Sequence, residues 1–356
     1  MNLISIIVVI FSMLAAADRI FGGKLGLSKE FEKGFMLLGT MALSMIGMIV
    51  ISPFIADVLS PCFDLVYKAF GIDPSVIPAI LFANDMGGAP LAKEVAQNAD
   101  IGMFNALVVS SMMGATISFT IPLSLGMVKK ELHRELLLGL LCGIVTIPIG
   151  CFVSGLMLSL PISTLLYNLL PLLIFGIVIA VGLVFIPDLC ARIFSILGVI
   201  IKILITIGLA LGILKSMTGL EPIKGLADIK EAALICFNAS IVMSGAFPLL
   251  SLLSKLLKKP LKKLGDLMGI NEISATGFIS TIATNVTTFG MMNEMDKKGT
   301  FLNSAFAVSA AFTFAGHLAF TLAFDANYVS AVIAGKLISG AFALAVAILI
   351  YKRISK

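Results

Sequence analysis

Long unbroken apolar runs alternate with short polar stretches along the whole chain. A helix needs about 20 apolar residues to cross the hydrocarbon core of a bilayer. Runs of that order lie near 3–20, 34–56, 101–127, 135–159, 163–186, 193–217, 232–254, 301–324 and 328–351, which predicts nine spans. Two further apolar runs, about 75–83 and about 273–283, are shorter. As helices they would rise roughly 14–17 Å, about half the core. Each stops at once in polar, glycine-bearing sequence. Such a segment is expected to be re-entrant or interrupted, tolerated at membrane depth only where protein or water lines it.

Composition strengthens this picture. Hydrophobic residues make up 59% of the 356, charged residues 13%, and the mean hydropathy is +1.10. A soluble domain carries about 25% charged residues, so a water-facing surface is excluded and one transmembrane body is expected. Cys62, Cys142, Cys151, Cys190 and Cys236 are scattered without a C-x-x-C pair and read as small hydrophobes. No positive residues precede the apolar run at Leu3–Ala17, so it reads as a retained span rather than a cleaved leader.

Charge then orients the map. With the N-terminus outside and the C-terminus cytoplasmic, 18 of the 25 Lys and Arg fall in inside loops, among them Lys33, Lys255, Lys258, Lys259, Lys262 and Lys356. The net charge of +5 is therefore a topology signal, not a nucleic-acid patch. The halves also resemble each other. The stretch from Ile80 to Gly114 is similar to the one beginning at Thr281, offset by about 200 residues, so that Asn84 pairs with Asn285. An odd span between two sets of four inverts the second set. Inverted repeats with interrupted helices are a signature of secondary transporters, which hold substrate near the midplane. The expectation is an all-α integral membrane protein of about nine transmembrane helices plus two re-entrant or interrupted helices. It forms a single transporter domain over 1–356, with repeat 1 about 1–160, a linker helix about 163–186 and repeat 2 about 193–352.

The polar residues in the interruptions are the candidate site. Asn84 and Asp85 fall where a half-helix ends, and Gly87, Gly88 and Pro90 turn the chain. Backbone carbonyls at a helix C-terminus and a carboxylate beside them attract a cation or an ammonium group. The alternative is that Asp85 only caps the next helix or meets Lys93. The matching stretch, Thr284-Asn285-Val286-Thr287, offers amides and hydroxyls but no acid. One acid with several neutral acceptors suits a small monovalent cation that also carries a hydroxyl. Glu94, Glu294 and Asp296 are either a solvated rim or gates. His317 is either a proton relay or a buried histidine bonded to a neighbouring carbonyl. Lys336, deep in the last span, calls for a carboxylate partner, with Asp85 or Glu94 as candidates, in a structural pair or a coupling role. Gly139 and Gly143 indicate close helix packing. No G-x-x-x-x-G-K-[ST] or H-E-x-x-H motif is present, and neither a nucleophile–base pair nor a metal set, so no enzyme activity, cofactor or metal is expected.

Taken together, "NDMGGAPLAKE", "GIVTIPIGC", "ITIGLA", "GMMNEMDKKG", "NSAFAVSAAF", "GHLAF" and "AGKLISG" resemble the bacterial ethanolamine permeases, the EutH family, from the first span to the last. The resemblance implies a multi-pass inner-membrane protein that imports ethanolamine for catabolism. It matches at Asp85, Gly87, Gly88, Lys93, Glu94, Asn285, Asp296, Gly299, Asn303, His317 and Lys336. It adds Asn303 to the gating or coupling candidates. Ethanolamine is protonated at neutral pH as a lysine amine is, so import matters most at low pH, where the permeant neutral form is scarcest. A carboxylate for the ammonium and an Asn or Thr for the hydroxyl suffice for a site. Facilitated diffusion, coupling to H⁺ or Na⁺, and oligomeric state all stay open.

Overall fold

The computed structural model describes residues 3–354, apart from the side chains of Val66, Ala191, Leu257, Lys258, Lys259, Leu261, Lys262, Leu264 and Ile354. Lys258, Lys259, Lys262 and Lys356, used above to orient the chain, lie outside the described residues. Among the described residues every regular element is helical. Eight helical stretches are long and apolar enough to cross a membrane: Leu3–Ile20, Ser28–Phe70, Ala99–Met127, Lys130–Met157, Ile162–Phe185, Pro187–Thr218, Ile229–Leu256 and Ala326–Arg353. With their outward faces rich in exposed Leu, Ile, Val and Phe, these make a multi-pass membrane protein.

The ninth run, 301–324, departs from a continuous span. It forms two shorter helices, Lys297–Ala310 and Gly316–Phe324, separated by five non-helical residues. Phe312 there adopts φ 59°, the left-handed region that a bulky side chain rarely takes. The break is stabilised from outside the helix. The Phe312 and Phe314 amides donate to the Thr281 and Ile282 carbonyls at 3.2 and 3.0 Å, and the Phe312 ring packs edge-on to Phe119. Alanines, phenylalanines, Leu302, Leu318, Leu322 and Val308 carry the run's hydropathy, so the sequence pattern alone reads as unbroken.

Both short apolar runs form helices that stop where expected, though the first has only 6 residues and rises about 9 Å rather than half the core. Val76–Leu81 ends in extended Phe82 and Ala83, and a second helix starts at Gly88 and runs to Val95. Glu272–Ala283 ends in extended Thr284, whose hydroxyl accepts from the Val286 amide at 3.2 Å to start Asn285–Met291. In the first break, Gly87 takes φ 107° and closes the turn.

Each of these helix–break–helix hairpins is fastened at its base by one carboxylate and one asparagine, and the two exchange places between halves. In the first, Asp73 stands before the hairpin and accepts from the Ser75 hydroxyl and from the amides of Gln97 and Asn98, while Asn98 caps the following helix at Ile101. In the second, Asn271 stands before the hairpin and caps Ser274, while Asp296 caps the following helix at Gly299 and accepts from the Asn271 amide and the Ser274 hydroxyl. Backbone-to-backbone packing joins the halves: at Gly139 a Cβ would collide with the Phe301 carbonyl, and at Gly143 with the Ala305 carbonyl.

Candidate functional site

Three interrupted helices meet at one place. Asp85 from the first break, Thr284 from the second, and Phe312, Ala315 and Gly316 from the third line one end of a cavity of about 990 Å³. Gly316 adjoins the acid: a Cβ there would be in ordinary contact with Asp85 Oδ2, at 3.8 Å. The walls are mainly apolar, with Leu37, Met41, Met243 and Phe247 on one side. Thr276, Ser280 and Thr287 line it from the second hairpin. At the far end stand Lys33, Lys255 and Glu272, all exposed.

Asp85 is half-buried, with 31% of its side chain exposed. Among the described residues no other residue donates a hydrogen bond to its carboxylate. Its nearest charged or ionisable neighbour is His317, whose Nε2 lies 4.0 Å from Asp85 Oδ1. The cap alternative therefore fails, and so does the Lys93 pairing: the Lys93 ammonium sits over the Phe324 ring at 5.6 Å. A carboxylate in an apolar wall without a fixed donor is an unpaired charge, which is costly there.

Behind it, His317 and Lys336 are both buried. Lys336 Nζ lies 3.1 Å from His317 Nδ1 and donates to the Ser111 carbonyl at 2.6 Å. The expected direct carboxylate partner of Lys336 is absent; the path to Asp85 runs through the imidazole. Glu94 is exposed at the surface end of the first hairpin and takes no part. Ser111 lies in Asn105–Gly114, a π-helix, a winding frequent at functional sites, and the second lone pair of its carbonyl can take the ammonium. Ser111 escaped the sequence reading because its contribution is a backbone oxygen, which no side-chain pattern announces.

The remaining candidates divide. Thr284 and Thr287 reach the cavity. Asn84 and Asn285 are fully buried behind it. Asn285 Nδ2 donates to the Thr120 hydroxyl at 2.9 Å, while neither polar atom of Asn84 has a partner among the described residues. Gly87 and Gly88 shape the turn, Gly87 against Met48 and Gly88 against the Phe82 carbonyl. Asp296 and Asn303 belong to the hairpin base rather than the cavity: Asn303 Nδ2 donates to the Ser274 and Gly299 carbonyls at 2.8 and 3.0 Å.

The family model described as "Ethanolamine utilisation protein, EutH" matches residues 1–350. The chain belongs to the EutH family. A relative from Listeria monocytogenes, named "Probable ethanolamine permease EutH", is 42% identical over 355 residues, covering 100% of this chain and 95% of the relative. Relatives of the same name from Salmonella typhimurium and Escherichia coli are each 38% identical over 388 residues, covering 98% of this chain and 95% of theirs. No solved structure matches.

Proposed function

We propose that this chain is an ethanolamine permease of the bacterial inner membrane. The observation that carries the reading is Asp85: a carboxylate without a hydrogen-bond donor, at the deep end of a cavity that also presents the Thr284 and Thr287 side chains. The ammonium of protonated ethanolamine sits against Asp85, and its hydroxyl reaches Thr284 or Thr287. The names of the Listeria, Salmonella and Escherichia relatives support the same substrate. A cavity lined at its deep end by one acid and no arginine does not suit an organic anion.

The cavity mouth carries Lys33 and Lys255, on the lysine-rich side of the chain. By the positive-inside rule that side is cytoplasmic, which puts the N-terminus outside and the C-terminus inside, and makes this the inward-open state. The hairpins at 73–98 and 271–296 then enter from opposite faces as re-entrant segments of inverted repeats. Their exchanged Asp and Asn clasps support that reading. Import is most needed at low pH, where the neutral amine is scarcest.

The test is uptake of labelled ethanolamine into proteoliposomes with unlabelled competitors. Ethanolamine competes best, ethylamine less well, and acetate or glycerol not at all. Absence of ethanolamine uptake removes the reading. Equal competition by ethylamine removes the hydroxyl half of the site.

A further inference from the structure

Lys336 is the one described lysine that is fully buried in the membrane body. It touches no carboxylate. Its ammonium is held by the Ser111 carbonyl and by His317 Nδ1, at 2.6 and 3.1 Å. With Lys336 as the ammonium donor, His317 Nδ1 accepts and carries no proton, which assigns the imidazole proton to Nε2, the nitrogen facing Asp85 at 4.0 Å. The three groups thus form a line from a sealed interior to the cavity, and only Asp85 at its end is wet. Cys151, on the neighbouring helix Ile147–Met157, is the other titratable group near Lys336. Among the described residues no further acid stands within ion-pair distance of His317 or Lys336.

The charge count of this line changes when a cation arrives. Without substrate, Asp85 is negative, Lys336 positive and His317 neutral, so the buried group is neutral as a whole. Substrate ammonium at Asp85 would leave Lys336 as an uncompensated buried charge, which is costly inside a membrane. We infer that Lys336 and His317 release one proton for each ethanolammonium bound at Asp85, so that the chain exchanges substrate cation for proton without net charge movement. This rests on the reading of Asp85 as the ammonium site.

The step balances. The Nζ–H bond of Lys336 breaks as its proton passes to the lone pair of His317 Nδ1. The Nε2–H bond of the same ring breaks, and that proton passes to the Asp85 carboxylate, the one wet member of the line, and from it to cavity water as the substrate ammonium takes its place. Lys336 is left as a neutral amine and His317 as a neutral imidazole protonated on Nδ1. Departure of the substrate reverses both transfers and restores the ammonium. Lysine suits this role because its proton comes off readily once the site disfavours charge, whereas arginine keeps its proton.

The full chain is reconstituted in liposomes at about pH 6, where nearly all the amine is protonated. Labelled ethanolamine uptake is read with a lumenal pH dye, with and without an inside-negative potassium diffusion potential, and corrected for protein-free liposomes. The wild type takes up substrate at the same rate with or without the potential, and the lumen loses one proton per ethanolamine. Lys336→Met moves no protons, and its uptake rises with the potential. Lys336→Arg, which keeps the charge but cannot release it, loses at least tenfold in uptake. Wild-type uptake driven by the potential at constant lumenal pH, or dependent on a sodium gradient, overturns the inference and leaves the ethanolamine site standing. No wild-type uptake at all overturns the site and the inference together.

Discussion

Asn105 and Asn303, about 200 positions apart, hold the same post in the two halves. Each lies on the helix that follows a hairpin and ties it to the first turn of that hairpin. Asn105 Nδ2 donates to the Ser75 hydroxyl at 2.8 Å, and Asn303 Nδ2 to the Ser274 carbonyl at 2.8 Å. Asn105 also exchanges amide hydrogen bonds with Asn168 of the helix Ile162–Phe185, at 2.7 and 3.1 Å.

Replacing Asn105 by Ala leaves the Asn168 amide and the Ser75 hydroxyl without this partner. Orphaned buried polar groups cost about 1–3 kcal/mol each in water-soluble proteins and about half that in membranes, where alternatives are found. Asn105→Ala therefore lowers the thermal midpoint in detergent by several degrees, and Asn303→Ala does so to a lesser extent, because it breaks bonds to backbone carbonyls within one half only. Thermal unfolding followed by size-exclusion recovery checks the ranking.

Gly114 is fixed by a backbone contact. A Cβ at that position would collide with the carbonyls of Phe82 and Ala79, at the end of the helix that leads into Asp85. Gly114→Ala pushes the first break out of place and abolishes uptake even if the protein reaches the membrane. At Gly39 a Cβ meets nothing within 4 Å, so Gly39→Ala is silent. Paired uptake assays on the two variants check this; equal behaviour contradicts the packing account.

Thr287 is exposed to the cavity from the helix Asn285–Met291. Thr287→Val keeps the shape and removes the hydroxyl. A lost hydrogen bond of about 1 kcal/mol raises KM for ethanolamine about fivefold with maximal rate unchanged. The KM for ethylamine, which has no hydroxyl, stays the same. The comparison of the two amines separates lost substrate contact from general damage.

The membrane character, the two short helices and the break at Asp85 were legible because each rests on a strong local signal: apolar length, its abrupt end, and a lone acid beside glycines. The break at 311–315 was not, because it depends on amides of Phe312 and Phe314 finding carbonyls of another helix. Nor was the role of Asp296 and Asn303, since a cap and a gate use the same residue types; only their partners distinguish them. Lys336 announced the need for a partner, but its partners are an imidazole and a backbone carbonyl on different helices. Pairings of this kind are set by tertiary contact and leave no period in the sequence.

The most direct test of the account is labelled ethanolamine uptake by Asp85→Asn beside the wild type, in proteoliposomes carrying equal amounts of protein. Asn keeps the size of the side chain and removes the charge that holds the ammonium. The account predicts uptake reduced to the level of protein-free liposomes, with the variant still monodisperse in detergent. Wild-type uptake by a correctly folded Asp85→Asn would contradict it.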